Sequence, residues 1–456
     1  MLDEEKAQEL IDIAIRHGVR RKVDGVEAIV AGSDVATSRF ANNGMTQNQA
    51  PQHMDISVRV QKKGRQARLS SDRISPAAIR ELVDNAIAAA TYLEPDDEML
   101  PMPAPEKRTL VKNVNRYDAR TAKFTAAQRA QGIKAMIEVA KERNLTAAGI
   151  FETGSFAEAI GNSEGLFRFH RETTAEVSVT MKLIAPVGGG ESTGWAKAQS
   201  PRVADVDPEA LARRAAEKAV ASANPQEIAP GKYTVILEPS AVLDLLCFID
   251  YDFTGTSFLD QLSCFLNKLG QPVLGKNIHI TDDVFHPLQS GPPFDGEGLQ
   301  RQKVELVNGG ILQRLVYGRR SAAELGEKST GHGLSEPNAE GEQPQNIVIA
   351  GGTTSLDEMI RSTERGVLLT RVWYVREVDP TTKIVTGMTR DGTFLVENGV
   401  IKCGIKNMRF NESLLGMLKN VVALGPALRA AGEEGEPAVL PAMKVENFNF
   451  SSVTTF

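Results

Sequence analysis

Cysteine is scarce: Cys247, Cys264 and Cys403 are the whole complement of 456 residues. Three thiols are too few, and odd in number, for a disulfide framework, and a reducing cytoplasm is the simplest expected home. There is no excess of positive charge either. Lys and Arg total 52 against 58 Asp and Glu, a net charge of −6, and the basic residues are dispersed. A nucleic-acid surface usually declares itself as a basic stripe, so nucleic acid is not an expected partner. No apolar run approaches the roughly 20 residues that span a bilayer, so no membrane partner is expected. The opening Met1-Leu2-Asp3-Glu4-Glu5-Lys6 is acidic where a secretory signal would be basic and then apolar.

What is present is an ordinary globular composition, 41% hydrophobic and 24% charged, long enough for two or three domains. Apolar periodicity predicts a first helix over 3–17, with Ala7, Leu10, Ile11 and Ala14 on one face. Alternating β segments follow, notably 55–60 and 66–69 around a Lys63-Gly64 turn. Ser75-Pro76 then opens a helix that buries Ile79, Leu82, Val83, Ala86, Ile87 and Ala90. Thr125 to Gln128 reads as a capping box, starting a helix to about Arg143. Strands at 147–157 and 166–183 come next. Asp207-Pro208 caps a helix with Leu211, Ala215, Ala219 and Val220 inward. Beyond 230 the pattern is mostly β, with strands expected at 234–237, 276–280, 304–306, 312–316 and 346–350 and a meander over 367–410. Short helices are expected at 356–361 and 412–421, an exposed Gly/Glu/Pro loop at 425–441 and a final strand at 444–450. The expected fold class is α+β: a small amino-terminal α+β domain (1–92), a Pro-rich linker (93–116), a middle α+β domain (117–226) and a large mostly-β carboxy-terminal domain (227–456).

Most site-like motifs have plainer explanations. Gly161-Asn162-Ser163-Glu164-Gly165 fits a nucleophile elbow by pattern. That elbow needs a helix after the Ser, whereas Leu166 to His170 alternates like a strand, so a turn explains it better. Gly188-Gly189-Gly190 lacks the ending of a P-loop and the spacing of a dinucleotide fingerprint, and reads as a loop. His279, expected in a strand, and His286 are near neighbours without a further ligand pair at metal spacing.

Several stretches, in order along the chain, carry a resemblance to the TldD/PmbA metallopeptidase family. They are Arg39 to Gln47 with Ser57 to Val60, Asn162 to Leu166, Phe294 to Gly298, Asn308 to Leu312, Ser329 to His332, and a run from Gly366 through Arg371-Val372-Trp373-Tyr374 and Asp391-Gly392 to Asn398-Gly399. Val235-Ile236-Leu237-Glu238-Pro239 followed by Leu243 to Asp252 resembles the lead-in to the family's zinc-binding helix, which in active members reads His-Glu-x-x-x-His. Laid over that motif, Cys247 stands for the first His, Phe248 for the Glu and Asp252 for the second His. Active members add a Cys near the carboxy terminus, where this chain reads Pro441-Ala442-Met443-Lys444-Val445-Glu446.

The resemblance therefore implies a chain like the TldE (PmbA) branch, with no catalytic residue and no metal ligand of its own and a degenerate site at Cys247, Phe248 and Asp252. Cysteine and aspartate can both bind zinc, but Cys247 among Leu245, Leu246, Phe248 and Ile249 reads as a small buried hydrophobe. A TldD-type catalytic paralogue that holds the zinc is the implied partner, and an unfolded or ribosomally made peptide the implied substrate. Two alternatives stay open: an autonomous peptide- or ligand-binding homodimer, and an enzyme of unrelated chemistry built on the remaining acids.

Overall fold

A computed structural model describes residues 2–105, 114–183 and 192–454. Gly188-Gly189-Gly190 and part of the expected linker, 106–113, lie outside the described residues.

Helix α1 (Glu4–Arg20) starts where the Asp3 carboxylate accepts the Lys6 N–H at 2.8 Å, with Glu4 and Glu5 favourably placed at the positive end of its dipole. Strands β1 (Gly25–Ala41), β2 (Gly44–Gln49), β3 (Gln52–Lys62) and β4 (Arg65–Ser71) follow. Helix α2 (Pro76–Ala90) has the Ser75 cap, the Pro at its first turn and the buried face that its sequence predicts. After the short α3 (Ala119–Ala122), the capping box of Thr125 and Gln128 opens α4 (Ala126–Glu142). Then come β5 (Thr146–Asn162), β6 (Phe167–Leu183), β7 (Ser192–Ser200) and α5 (Pro208–Ala221). Val220, expected inward on α5, is 43% exposed.

These strands form one antiparallel sheet in the order β4-β3-β1-β5-β6-β7, with β2 added to the end of β1. β1 pairs with β3 on one side and with β5 on the other, from Glu27↔Asn162 to Phe40↔Gly149. The two expected amino-terminal units are thus halves of a single sheet, each half with its own core under its own helices. Val26, Ala28 and Val30 pack under α1 and α2, while Phe40, Phe151 and Val177 pack under α4 and α5. Gly194 on β7 shows how close that packing is: a Cβ there would lie 2.2 Å from the Ala215 carbonyl oxygen of α5.

The expected linker is not free over its described part. Met102 is buried, Gln61 donates to the Leu100 carbonyl and Asn162 to the Pro103 carbonyl, both at 2.8 Å. Arg116 is buried as well and donates to the Gly291 and Val284 carbonyls.

The carboxy-terminal region starts with β8 (Gly231–Leu237) and α6 (Pro239–Leu246). It builds two further sheets from β9 (Ile280–Asp282), β10 (Val304–Asn308), β11 (Ile311–Leu312), β12 (Ile347–Ile349), β13 (Arg365–Asp379), β14 (Ile384–Glu397), β15 (Val400–Gly404), β16 (Met408–Ser413), β17 (Val421–Leu424), β18 (Leu428–Ala430), β19 (Ala438–Leu440) and β20 (Met443–Val453). One sheet runs β11-β10-β9-β12-β19-β18. The other runs β13-β8-β20-β16-β14, and the β13–β14 pairing closes it into a ring. Closure removes exposed edges and encloses a core that includes Val235, Leu369, Val385, Phe410 and Phe448.

Three expectations fail here. His279 precedes β9 rather than lying in a strand at 276–280, and the strand expected over 312–316 is only Ile311–Leu312. The segment 425–441 is no exposed loop: it carries β18 and β19, with Ala430, Ala431, Val439 and Leu440 buried.

Away from the helices, the amino-terminal sheet turns a charged face to the carboxy-terminal region. Glu27, with no exposed surface, is held by Arg59 at 3.0 Å and Arg68 at 2.6 Å, and Arg68 reaches on to the Glu336 carbonyl. Lys197 of β7 binds Glu176 at 3.1 Å and the Gly432 carbonyl at 2.9 Å. This polar junction fixes the sheet against the cleft described next.

Candidate functional site

β8 runs into α6 through Glu238 and Pro239, a strand-to-helix entry with proline at the first helical turn, where its missing N–H costs nothing. The α-helix ends at Leu246, and Cys247 to Phe253 continues as a tighter 3₁₀ helix. One wall of a cleft of about 610 Å³ is made by Leu243, Leu246, Cys247, Phe248 and Asp250. The segments 343–347 and 434–438 face it, with Glu172 of β6 at one end.

The three positions aligned with the family's zinc motif do not converge. Cys247 lines the cleft with its thiol 3.7 Å from the Asp244 carbonyl oxygen. Burial, reinforced by Asp250 and Asp244, pushes that thiol up and disfavours the thiolate that a metal or a nucleophilic step would need. Phe248 packs its ring against the main core. Asp252 is 1% exposed; it binds the Lys383 ammonium at 2.7 Å and accepts the Cys264 N–H at 2.6 Å. Burial opposes the charge on Lys383, but Asp252 and Glu377 outweigh it and hold the ammonium above its ordinary range. The tail at Pro441 to Glu446 leads into β20, where Met443 is fully buried beside Leu237. Among the described residues, no three His, Cys, Asp or Glu side chains gather as a metal-holding group. As a ligand set, these positions do not fit a catalytic zinc ion, which needs three donors and an open place for water.

Carboxylates that look chemically available are mostly structural. Asp244 accepts the N–H groups of Glu433 and Glu434 at 2.9 Å and of Gly435 at 3.4 Å, clamping one cleft wall to α6. A Cβ on Gly432 would come within 2.1 Å of the same oxygen, so only glycine allows the loop so close. Asp282 holds the opposite wall through the N–H groups of Gln345 and Asn346, both at 2.8 Å, and pairs with the buried His332 at 3.0 Å. Burial acts to raise Asp282, but His332, Arg301 and the Asn346 N–H outweigh it and keep the carboxyl low. Glu172 is likewise kept low against burial by His170 at 3.4 Å and the Gly291 N–H at 2.7 Å.

Asp250 is different. Among the described residues no hydrogen bond or ion pair engages its carboxyl; the half-buried residue lines the cleft, and its carboxyl is raised well above its ordinary range by burial, then by Asp282 and Asp252. Sequence reading missed Asp244, Asp250 and the 432–436 wall. The signals were two acids inside an apolar run, and a Gly/Glu stretch whose composition says loop.

Of the other motifs, Ser163 is a turn residue, as its surroundings predict. It links β5 to β6, its N–H donating to the Val26 carbonyl at 2.8 Å and its Oγ accepting the Val26 N–H at 3.2 Å. The rings of His279 and His286 each accept a backbone N–H, from Gly309 and Leu288.

The fold is thus α+β, a helix-backed sheet joined to a closed β ring, with a cleft at the end of a strand-to-helix entry. Family models for PmbA/TldA metallopeptidase domain 1, central domain and C-terminal domain match residues 26–90, 70–223 and 230–452. The chain belongs to the PmbA/TldD metallopeptidase family. It is 27% identical over 433 residues to the metalloprotease PmbA homolog of Haemophilus influenzae, covering 88% of this chain and 85% of that one. To the metalloprotease PmbA of Escherichia coli O157:H7 it is 24% identical over 440 residues, covering 93% and 90%. Its fold is also that of TldE from Thermococcus kodakarensis, with a TM-score of 0.89 and 20% identity over 97% of this chain and all of that one.

Proposed function

We propose that this chain is the non-catalytic, TldE-like subunit of a two-subunit zinc peptidase of this family. Its partner is a TldD-type paralogue that carries His-Glu-x-x-x-His and the zinc. The observation that carries this reading is Phe248 where the general base would stand, beside an Asp252 already committed to Lys383. A phenyl ring takes no proton, and a carboxylate locked in a buried ion pair is a poor ligand.

The retained role is to shape the chamber and hold an unfolded or ribosomally made peptide as an added strand. β2 supports it: the strand pairs with β1 along one edge, and no partner lies along its other edge among the described residues. Main-chain hydrogen bonds to such an edge hold a peptide regardless of sequence. No helix among the described residues is long and apolar enough to cross a membrane, and we place the pair in the cytoplasm. Co-expression with a His-Glu-x-x-x-His paralogue tests the assembly. The two are expected to co-purify and elute as one species, and two separate peaks at micromolar concentration would overturn the reading in favour of an autonomous homodimer or monomer.

A further inference from the structure

We propose that the cleft beside α6 is a side-chain pocket for a lysine or arginine of the bound peptide, with Asp250 as its charge partner. The proposal rests on the peptide-holding role above and names the residue class that this chain selects. The cleft is about 610 Å³, within the ordinary range for a pocket that takes a small ligand or a long side chain. Its walls are apolar where an aliphatic stem would lie, at Leu243, Leu246 and Phe248 on one side and Ile347, Ile349 and Leu440 on the other. Lysine and arginine bury such stems while keeping the charged head at a polar end.

The charge balance of the lining is one-sided. Four carboxylates, those of Glu172, Asp250, Glu434 and Glu436, line the cleft, and no Lys, Arg or His does. Glu172 is engaged by His170 and the Gly291 N–H, and Glu434 and Glu436 stand exposed at the rim. That leaves Asp250 on the cleft wall. The residue keeps some accessible surface, and among the described residues its carboxyl has no partner. A carboxyl without a partner between apolar walls has its acceptors open, and an entering ammonium or guanidinium supplies both the charge and the donors it lacks. A hard metal ion is the poorer occupant, because no three-ligand group is assembled there among the described residues.

The test uses the purified full chain and two capped alanine pentapeptides, one with lysine at the centre and one with norleucine, which keeps the stem and removes the charge. By titration calorimetry the lysine peptide is expected to bind about tenfold more tightly. Asp250→Asn, which is isosteric, is expected to abolish that preference while leaving norleucine binding unchanged. Equal affinities in the parent would overturn the pocket and leave the peptide-holding role standing, whereas failure of both peptides to bind at millimolar concentration would overturn both. A preference that persists in a folded Asp250→Asn would also overturn the assignment. Should that variant not fold, Glu434→Gln at the exposed rim is expected to reduce the lysine preference, and an unchanged preference there counts against the pocket.

Discussion

Asp252, which the family resemblance sets against the motif's second histidine, is held in structural contacts with Lys383 and the Cys264 N–H. Its pairing with Lys383 is almost wholly buried, and removing one partner of such a pair costs about 3–5 kcal/mol, because the other charge is left uncompensated. Rebuilding the motif with Cys247→His, Phe248→Glu and Asp252→His is therefore expected to lower stability by about that amount, as read by urea unfolding. Zinc affinity should stay weak. A triple variant that unfolds like the parent and binds one equivalent of zinc would show that the site has kept its ligand geometry.

Asp244 makes a second case at the same scale. Asp244→Ala removes the acceptor of three backbone N–H groups and is expected to cost about 1–3 kcal/mol. Limited proteolysis should then cut the 432–436 segment first, and a variant cut like the parent would remove Asp244 from the clamp. Cys247, Phe248 and Asp252 stand out in the sequence only through the resemblance of their segment to a motif. The partners Lys383 and Glu433 to Gly435 do not stand out, since they lie more than a hundred residues away and meet the site only through the fold.

Among the elements, helices were the more legible. Ser75, Thr125, Asp207 and Ser355 each cap a helix where local hydrogen-bonding chemistry places it. Strands between 270 and 350 were poorly legible, because they are two to five residues long and stabilised by neighbours distant in sequence. The 425–441 segment was misread for the same reason: its Gly and Glu content suits solvent, while Asp244 and the β12–β19 pairing bury it.

Glu297 gives the carboxy-terminal region a pH dependence. Burial first, then Asp295, push its carboxyl up to about 7 despite Arg319 at 3.0 Å. Its folded value is raised above its unfolded one, so the folded state holds the extra proton between about pH 4.5 and 7, and stability falls as pH rises through that window. Glu297→Gln is expected to flatten the fall and to be more stable than the parent at pH 8 by about 1–3 kcal/mol. Urea midpoints at pH 5 and pH 8 check it, and identical slopes in parent and variant would refute the assignment.

At the scale of the whole molecule, a helix-backed sheet and a closed β ring meet through charged side chains, and the cleft lies at their meeting point. Glu172 and Lys197 come from the amino-terminal sheet, while Asp244, Asp250 and the 432–436 wall come from the carboxy-terminal region. The end of α2 at Ala90 was legible as a change from helix to Pro-rich chain, but the shared sheet was not, because β1 meets β5 across more than a hundred residues.

The most direct measurement is peptide hydrolysis by the purified chain alone, with bound zinc read by elemental analysis on the same sample. No cleavage of an unstructured peptide and no stoichiometric zinc are predicted, with cleavage only when a His-Glu-x-x-x-His paralogue is added. Chelator-sensitive hydrolysis by the chain alone, with near one equivalent of zinc, would contradict the non-catalytic role.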